Sequence, residues 1–159
     1  MAIDFTKNNN HIVMFPSKVI SSLGQGGHVI NLVMQANTDN GVLATKGQYV
    51  SFDQYKAAAV ADNTVQGVIR EASAEGGWYV EFTVLGSDPI FLIYNSPVSP
   101  YPEIELRDEA LFYNATGDVT QGMELNLGDV ISLSVDAFTG TPVAGKTVKY
   151  SAGKYVVQP

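Results

Sequence analysis

The sequence predicts an all-β protein: a sandwich or barrel of short antiparallel strands, with at most one or two short helices. Three observations predict it. First, one strand pattern is used three times, at Lys46–Phe52, Leu127–Leu133 and Ala144–Tyr150. Aligned on Gly47, Gly128 and Gly145, each copy has a β-branched aliphatic residue three positions on, a polar residue at the fourth and a large apolar one at the fifth. Strand faces repeat every two residues, so the apolar pair points inward and the polar residue outward. Second, Trp78, Val80, Phe82 and Val84 alternate with Tyr79, Glu81 and Thr83. Third, turn residues recur at close intervals along the whole chain, the spacing of a sandwich or barrel.

In order, residues 1–10 read as a polar arm. His11–Phe15 is a short strand closed by Pro16, and Lys18–Ile20 pairs locally before the loop Leu23–Gly27. His28–Met34 is a second apolar strand, and Asn37–Gly41 is a turn. The first copy of the pattern follows, with Gln48, Val50 and Phe52 sharing a face. Asp53–Val60 pairs an N-cap-type Asp with good helix formers and predicts a short helix. Residues 64–71 and 77–85 form a hairpin around Glu75-Gly76-Gly77. Ile90–Tyr94 is continuously apolar, as in a strand covered on both faces. Ser96–Pro102 holds three prolines, which keep the backbone extended and withhold ladder donors. It predicts a connection, residues 96–103, between a β half at 11–95 and another at 104–159, the two packed together or forming one domain over 11–159. The chain closes on a hairpin, Thr147–Tyr150 and Lys154–Val157, through a three-residue turn ending in Gly153.

Bulk composition excludes several partners. The 159 residues carry a net charge of −7, and the nine Lys and Arg never stand side by side. Phosphate binding rests on clustered basic residues, so neither nucleic acid nor an anionic membrane is expected. There is no cysteine, which removes disulfides, thiolate chemistry and Cys-based zinc sites. The first residues lack the basic start and apolar stretch of a secretory signal. No apolar run approaches the ~18 residues of a membrane-spanning helix. Only 16% of residues are charged, which leaves a surface rich in amides, hydroxyls and glycine.

No catalytic, cofactor or metal site is expected. His11 and His28 each lack a second ligand at metal-like spacing, and no G-x-S-x-G elbow accompanies them. Leu23–Gly27 leads into a β-rich run rather than a helix, so it does not cradle phosphate. Asn37–Gly41 begins like a calcium loop, yet its sixth position is Val42 and its twelfth is Gln48. Glu103 and Glu105 alternate with Ile104 and Leu106, a solvated edge; with Asp108 and Glu109 they are the residues a glycosidase would have to use. Trp78, Tyr79, Tyr94, Tyr101 and Tyr113 would be the aromatics of a sugar-binding face, and Tyr101, isolated among prolines, is the one expected to be exposed.

Ile90–Pro97, then Phe112-Tyr113-Asn114 with Gly117-Asp118-Val119, then Gly122–Leu133, resembles small structural proteins of tailed bacteriophages, in particular head decoration or cement proteins. The resemblance implies a non-enzymatic virion protein that binds the major capsid protein on the capsid exterior. It also implies synthesis in the host bacterial cytoplasm and association into a homo-oligomer, with three copies expected. Within that reading Ile3, Asp4 and Phe5 of the arm are candidate capsid contacts, adding a strand to a neighbour's edge. The alternative is a carbohydrate-binding β-sandwich of a phage fibre or tail appendage, with Tyr101 as an exposed contact.

Overall fold

The structure, a computed structural model, describes residues 11–19, 29–74, 76–95 and 113–159. Twelve strands lie in this range: β1 (Met14–Lys18), β2 (Val29–Val33), β3 (Leu43–Tyr49), β4 (Gln54–Ala59), β5 (Gln66–Ala72), β6 (Trp78–Val84), β7 (Ile90–Tyr94), β8 (Val119–Glu124), β9 (Val130–Leu133), β10 (Phe138–Thr139), β11 (Thr147–Ser151) and β12 (Lys154–Val157). A three-residue 3-10 turn, Val135–Ala137, joins β9 to β10. The fold is all-β, as the sequence predicts.

The strands form two bodies. A seven-stranded sheet runs β1-β9-β6-β5-β11-β12-β10, and β2-β4-β3-β7-β8 close into a five-stranded barrel. Pairing is antiparallel except for β10 with β12 and β2 with β4. Both bodies draw strands from either side of the Pro-rich stretch, which itself lies outside the described residues.

Strand β7 shows how the two bodies share a core. Ile90 and Leu92 belong to a large cluster with Ile69, Val80, Phe82, Ile131, Leu133 and Tyr155 from the sheet. Phe91 and Ile93 point the other way and fill the barrel with Leu32, Met34 and Ala44. Both faces of β7 are therefore buried, which is why its sequence is continuously apolar. Fully burying side chains of this size stabilises by roughly 1.5–3 kcal/mol each.

The repeated pattern works in two of its three copies. Ile131 and Leu133 are buried, as are Val148 and Tyr150. In both, glycine occupies a left-handed turn position, φ +89° at Gly128 and +86° at Gly145, closed by Asp129 N–H to Asn126 O and by Lys146 N–H to Val143 O. The first copy departs. Gly47 lies inside β3, where an added Cβ would sit 2.5 Å from Lys56 O across the ladder. Its glycine allows a close backbone approach instead of a turn, β3 ends at Tyr49, and Val50 and Phe52 fall in the following turn, exposed.

Asp53–Val60 is not a helix. Gln54–Ala59 is β4, paired to β3 on one side and to β2 on the other. Eight residues are too few to sustain a helix by propensity alone, and two ladders override the alanines. Two smaller differences concern strand ends. β1 extends to Lys18 through Pro16, which is tolerated because β1 is an edge strand with a register shift between Phe15 and Lys18. The last hairpin turns on two residues, Ala152 (φ +47°) and Gly153 (φ +81°), with Ser151 opposite Lys154.

Candidate functional site

The described polar chemistry is invested in closing turns and joining the two bodies. Asp118 Oδ2 accepts from Ala115 N–H at 2.9 Å, and Asp129 Oδ2 from Asn126 N–H at 2.8 Å. Asp62 Oδ1 accepts from Ala152 N–H at 3.1 Å. Asp39 accepts from His11 Nδ1 at 2.8 Å through one carboxylate oxygen and from Ile12 N–H at 3.2 Å through the other. His11 also stacks on Tyr113, with ring centroids 5.3 Å apart. This cluster lines a depression of about 390 Å³ with Thr38, Val42 and Lys154.

A His–Asp pair in a depression is the arrangement a hydrolase would use, but the neighbouring groups point elsewhere. The Thr38 hydroxyl donates to Ala36 O at 2.8 Å, and Lys154 Nζ donates to Asp136 O at 2.6 Å. The pair fastens the start of β1 to the loop before β3. Asn37–Gly41, which turns at Asn40 and Gly41 as the sequence predicts, also ties distant segments together. Asn37 Oδ1 accepts from Thr116 N–H at 3.1 Å. Asn40 is buried, donates to Asn95 O at 2.8 Å and accepts from Asn95 N–H and Asn114 Nδ2. Among the described residues no group of three or more His, Cys, Asp or Glu side chains is placed to hold a metal ion.

Two tyrosines of the last hairpin reach from the sheet to the barrel. The Tyr150 hydroxyl accepts from Leu43 N–H at 2.9 Å and donates to Leu43 O at 3.3 Å; the Tyr155 hydroxyl donates to Gly41 O at 2.8 Å. Their rings meet edge to face at 5.3 Å. Burial pushes the Tyr150 phenol up to about 12, opposed by its backbone hydrogen bond to Leu43 and assisted by Asp62. Burial, with Tyr150 adding to it, holds Tyr155 well above the ordinary phenol range. Both shifts favour the neutral hydroxyl, so these groups are structural pins.

The most exposed large apolar side chain of the described residues stands at the far end of the barrel. Strands β3 and β4 join through Ser51-Phe52-Asp53-Gln54, with Gln54 N–H bonded to Ser51 O at 2.9 Å. Phe52 (φ +50°) and Asp53 (φ +58°) both take the left-handed conformation of a type I′ turn. Phe52 is 87% exposed, and Tyr49 (55%) and Val50 (44%) flank it. Lys46 Nζ lies 3.9 Å over the Tyr55 ring, whose other neighbour is Tyr49 at 5.5 Å.

Ile3, Asp4, Phe5, Tyr101, His28 and the acidic group from Glu103 to Glu109 lie outside the described residues. Trp78 is half-buried against the large core cluster. Sequence reasoning missed the tip, because a Phe-Asp pair carries none of the Asn-Gly signal that marks a type I′ turn. No family model, curated protein or solved structure matches this chain.

Proposed function

We propose that this protein is a non-enzymatic structural component of a tailed-phage virion, made in the bacterial cytoplasm, which binds the exterior of the assembled capsid and stabilises it. The reading grows from the resemblance of Ile90–Pro97, Phe112–Asn114 and Gly122–Leu133 to head decoration proteins. The observation that carries it furthest is how the carboxylates are used: Asp39, Asp62, Asp118 and Asp129 each accept a backbone N–H that locks a turn or a segment end. Side chains committed in this way stiffen a body that works through the surface it covers. The proposed partners are the major capsid protein and further copies of this chain, three in the expected assembly.

A protein that binds only the assembled shell stabilises that shell by mass action, by about 2.7 kcal/mol at a hundredfold excess over Kd. The test mixes the purified protein with capsids lacking it and follows the temperature at which the shells open. The expected result is saturable binding and a raised opening temperature. Shells that neither bind the protein nor change in stability would refute the proposal.

A further inference from the structure

Asn40-Gly41 is the one Asn-Gly pair in the chain, and the fold needs both residues. At Gly41 φ is +87°, and an added Cβ would meet Leu133 Cδ2 at 3.0 Å, Met14 Cβ at 3.2 Å and Ile12 Cγ2 at 3.3 Å. At Asn40 a buried amide joins three segments: Nδ2 donates to Asn95 O at 2.8 Å, while Oδ1 accepts from Asn95 N–H at 3.0 Å and Asn114 Nδ2 at 3.1 Å. Chemically this pair is a liability. An asparagine loses its amide when the next backbone nitrogen attacks its side-chain carbonyl carbon, one route by which Asn makes proteins thermolabile. Glycine in the next position has no Cβ to shield that nitrogen and turns freely into the geometry of attack. Asn37, although exposed, precedes Thr38, whose branched Cβ stands in the way.

In the folded chain both reacting groups are occupied. The Gly41 N–H donates to Ile93 O at 2.9 Å, and the Asn40 amide is held towards Asn95, two positions further along the exit of β7. Both residues are buried. Attack therefore requires the exit of β7 to detach first. We infer that Asn40 is a deamidation site which native packing closes and unfolding opens, so that a chain which opens is altered for good. In the opened chain the Gly41 nitrogen gives its proton to solvent and bonds to Asn40 Cγ. The Cγ–Nδ2 bond breaks, the amide nitrogen leaves with a proton as ammonia, and a five-membered succinimide remains. Water then cleaves one of the two carbonyl–nitrogen bonds of that ring, leaving either aspartate at position 40 or an isoaspartyl link that runs the backbone through the side chain. Neither product refits the joint. An ionised aspartate cannot donate to Asn95 O, and the isoaspartyl link adds a methylene to the main chain where Ile93 and Tyr155 bond Gly41 from two sides. The reaction thus favours further opening and turns reversible unfolding into a one-way loss. It does not depend on what surface the protein covers.

Peptide mass mapping tests it with the full chain, held at mildly alkaline pH in native buffer and in unfolding guanidinium. Exchange of the amide for a carboxyl adds one mass unit to the tryptic peptide 19–46, and fragmentation assigns it to Asn40. In guanidinium Asn40 is expected to convert before any other asparagine. In native buffer its conversion should be slower by about 100-fold or more, because it follows the population of the open form. Tyr150→Phe leaves positions 40 and 41 intact but loosens the joint between sheet and barrel, and should speed native conversion by about 10-fold or more. Converted chain, separated by its extra negative charge and refolded, should unfold at a lower denaturant midpoint than unconverted chain, the aspartyl product matching Asn40→Asp made directly. Equal rates in native buffer and guanidinium, another asparagine converting first in guanidinium, an unchanged rate in Tyr150→Phe, or an unchanged midpoint after conversion would each overturn the inference. Failure of the capsid-binding test above would leave it standing, since that test reads shells and this one reads the free chain.

Discussion

Replacing Tyr150 with Phe removes one oxygen atom and unpins the barrel from the sheet. That oxygen satisfies the Leu43 N–H at 2.9 Å and donates to the Leu43 carbonyl at 3.3 Å. Leu43 is buried, so in the Phe variant its N–H is left without a partner at a cost of about 1–3 kcal/mol, and the longer bond to the carbonyl adds roughly 0.5 kcal/mol. The expected loss for Tyr150→Phe is about 1.5–3.5 kcal/mol. Tyr155→Phe loses a single bond to Gly41 O and is expected to cost about 1 kcal/mol. Urea unfolding at neutral pH, read at unchanged slope, measures both. The pH dependence gives a second reading. Tyrosine becomes charged on losing its proton, and the folded Tyr150 phenol, raised from 10.0 to about 12, holds that proton more tightly than the unfolded one. Its contribution is therefore complete below pH 10, erodes as pH rises, and is gone above about pH 12, at about 1.4 kcal/mol per pH unit between those limits. Wild type should lose stability in this window, and Tyr150→Phe should lose it less steeply, with Tyr155 supplying what slope remains. Equal costs for the two variants at neutral pH, or identical alkaline slopes for wild type and Tyr150→Phe, would refute the reasoning.

Other substitutions probe separate parts of the fold. The Thr120 hydroxyl is buried with no hydrogen-bond partner among the described residues, so Thr120→Val should stabilise by about 1 kcal/mol in the same urea assay. Gly77→Ala places a Cβ against the Leu133 carbonyl of the β6–β9 ladder and should destabilise by about 3 kcal/mol or more, seen as a large fall in melting temperature. Asn40→Asp loses the donor to Asn95 O and sets a charge against that carbonyl, an expected loss of about 3 kcal/mol at neutral pH. Stability in that variant should partly return on acidification, because the protonated carboxyl is again able to donate; no recovery at low pH would contradict the assignment.

What the sequence reveals here is what local pattern controls. Ile90–Tyr94 announces burial on both faces because its neighbours along the chain are all apolar, and Val80 and Phe82 announce one buried face through alternation. The glycine-led pattern is legible at Gly128 and Gly145 because turn and strand lie within seven residues. At Gly47 the same letters mean something else, since a glycine that opens a turn and one that lets two strands approach look alike until the partner strand is placed. Ala57-Ala58-Ala59 misleads for a related reason: helix propensity is set by the residues themselves, whereas the parallel ladder to β2 joins positions some 23 residues apart. The tyrosine pins were out of reach altogether, because Tyr150 finds a partner 107 positions away and Tyr155 one 114 away. The role of His11 was equally hidden, because its ring is held by Asp39, 28 residues on.

The order of strands in the two bodies has a consequence for how the molecule comes into being. β8 seals the barrel between β2 and β7, and β9 and β11 flank the β5–β6 pair in the larger sheet. A nascent chain that has emerged only as far as β7 therefore owns two unfinished sheets, each offering raw hydrogen-bonding edges to whatever strand drifts by. Long-range pairing of this kind is slow to form and prone to mispairing while it waits. Maturation should hinge on the arrival of residues 119–157, which complete both bodies in one stretch, and fragments ending before them should clump instead of folding.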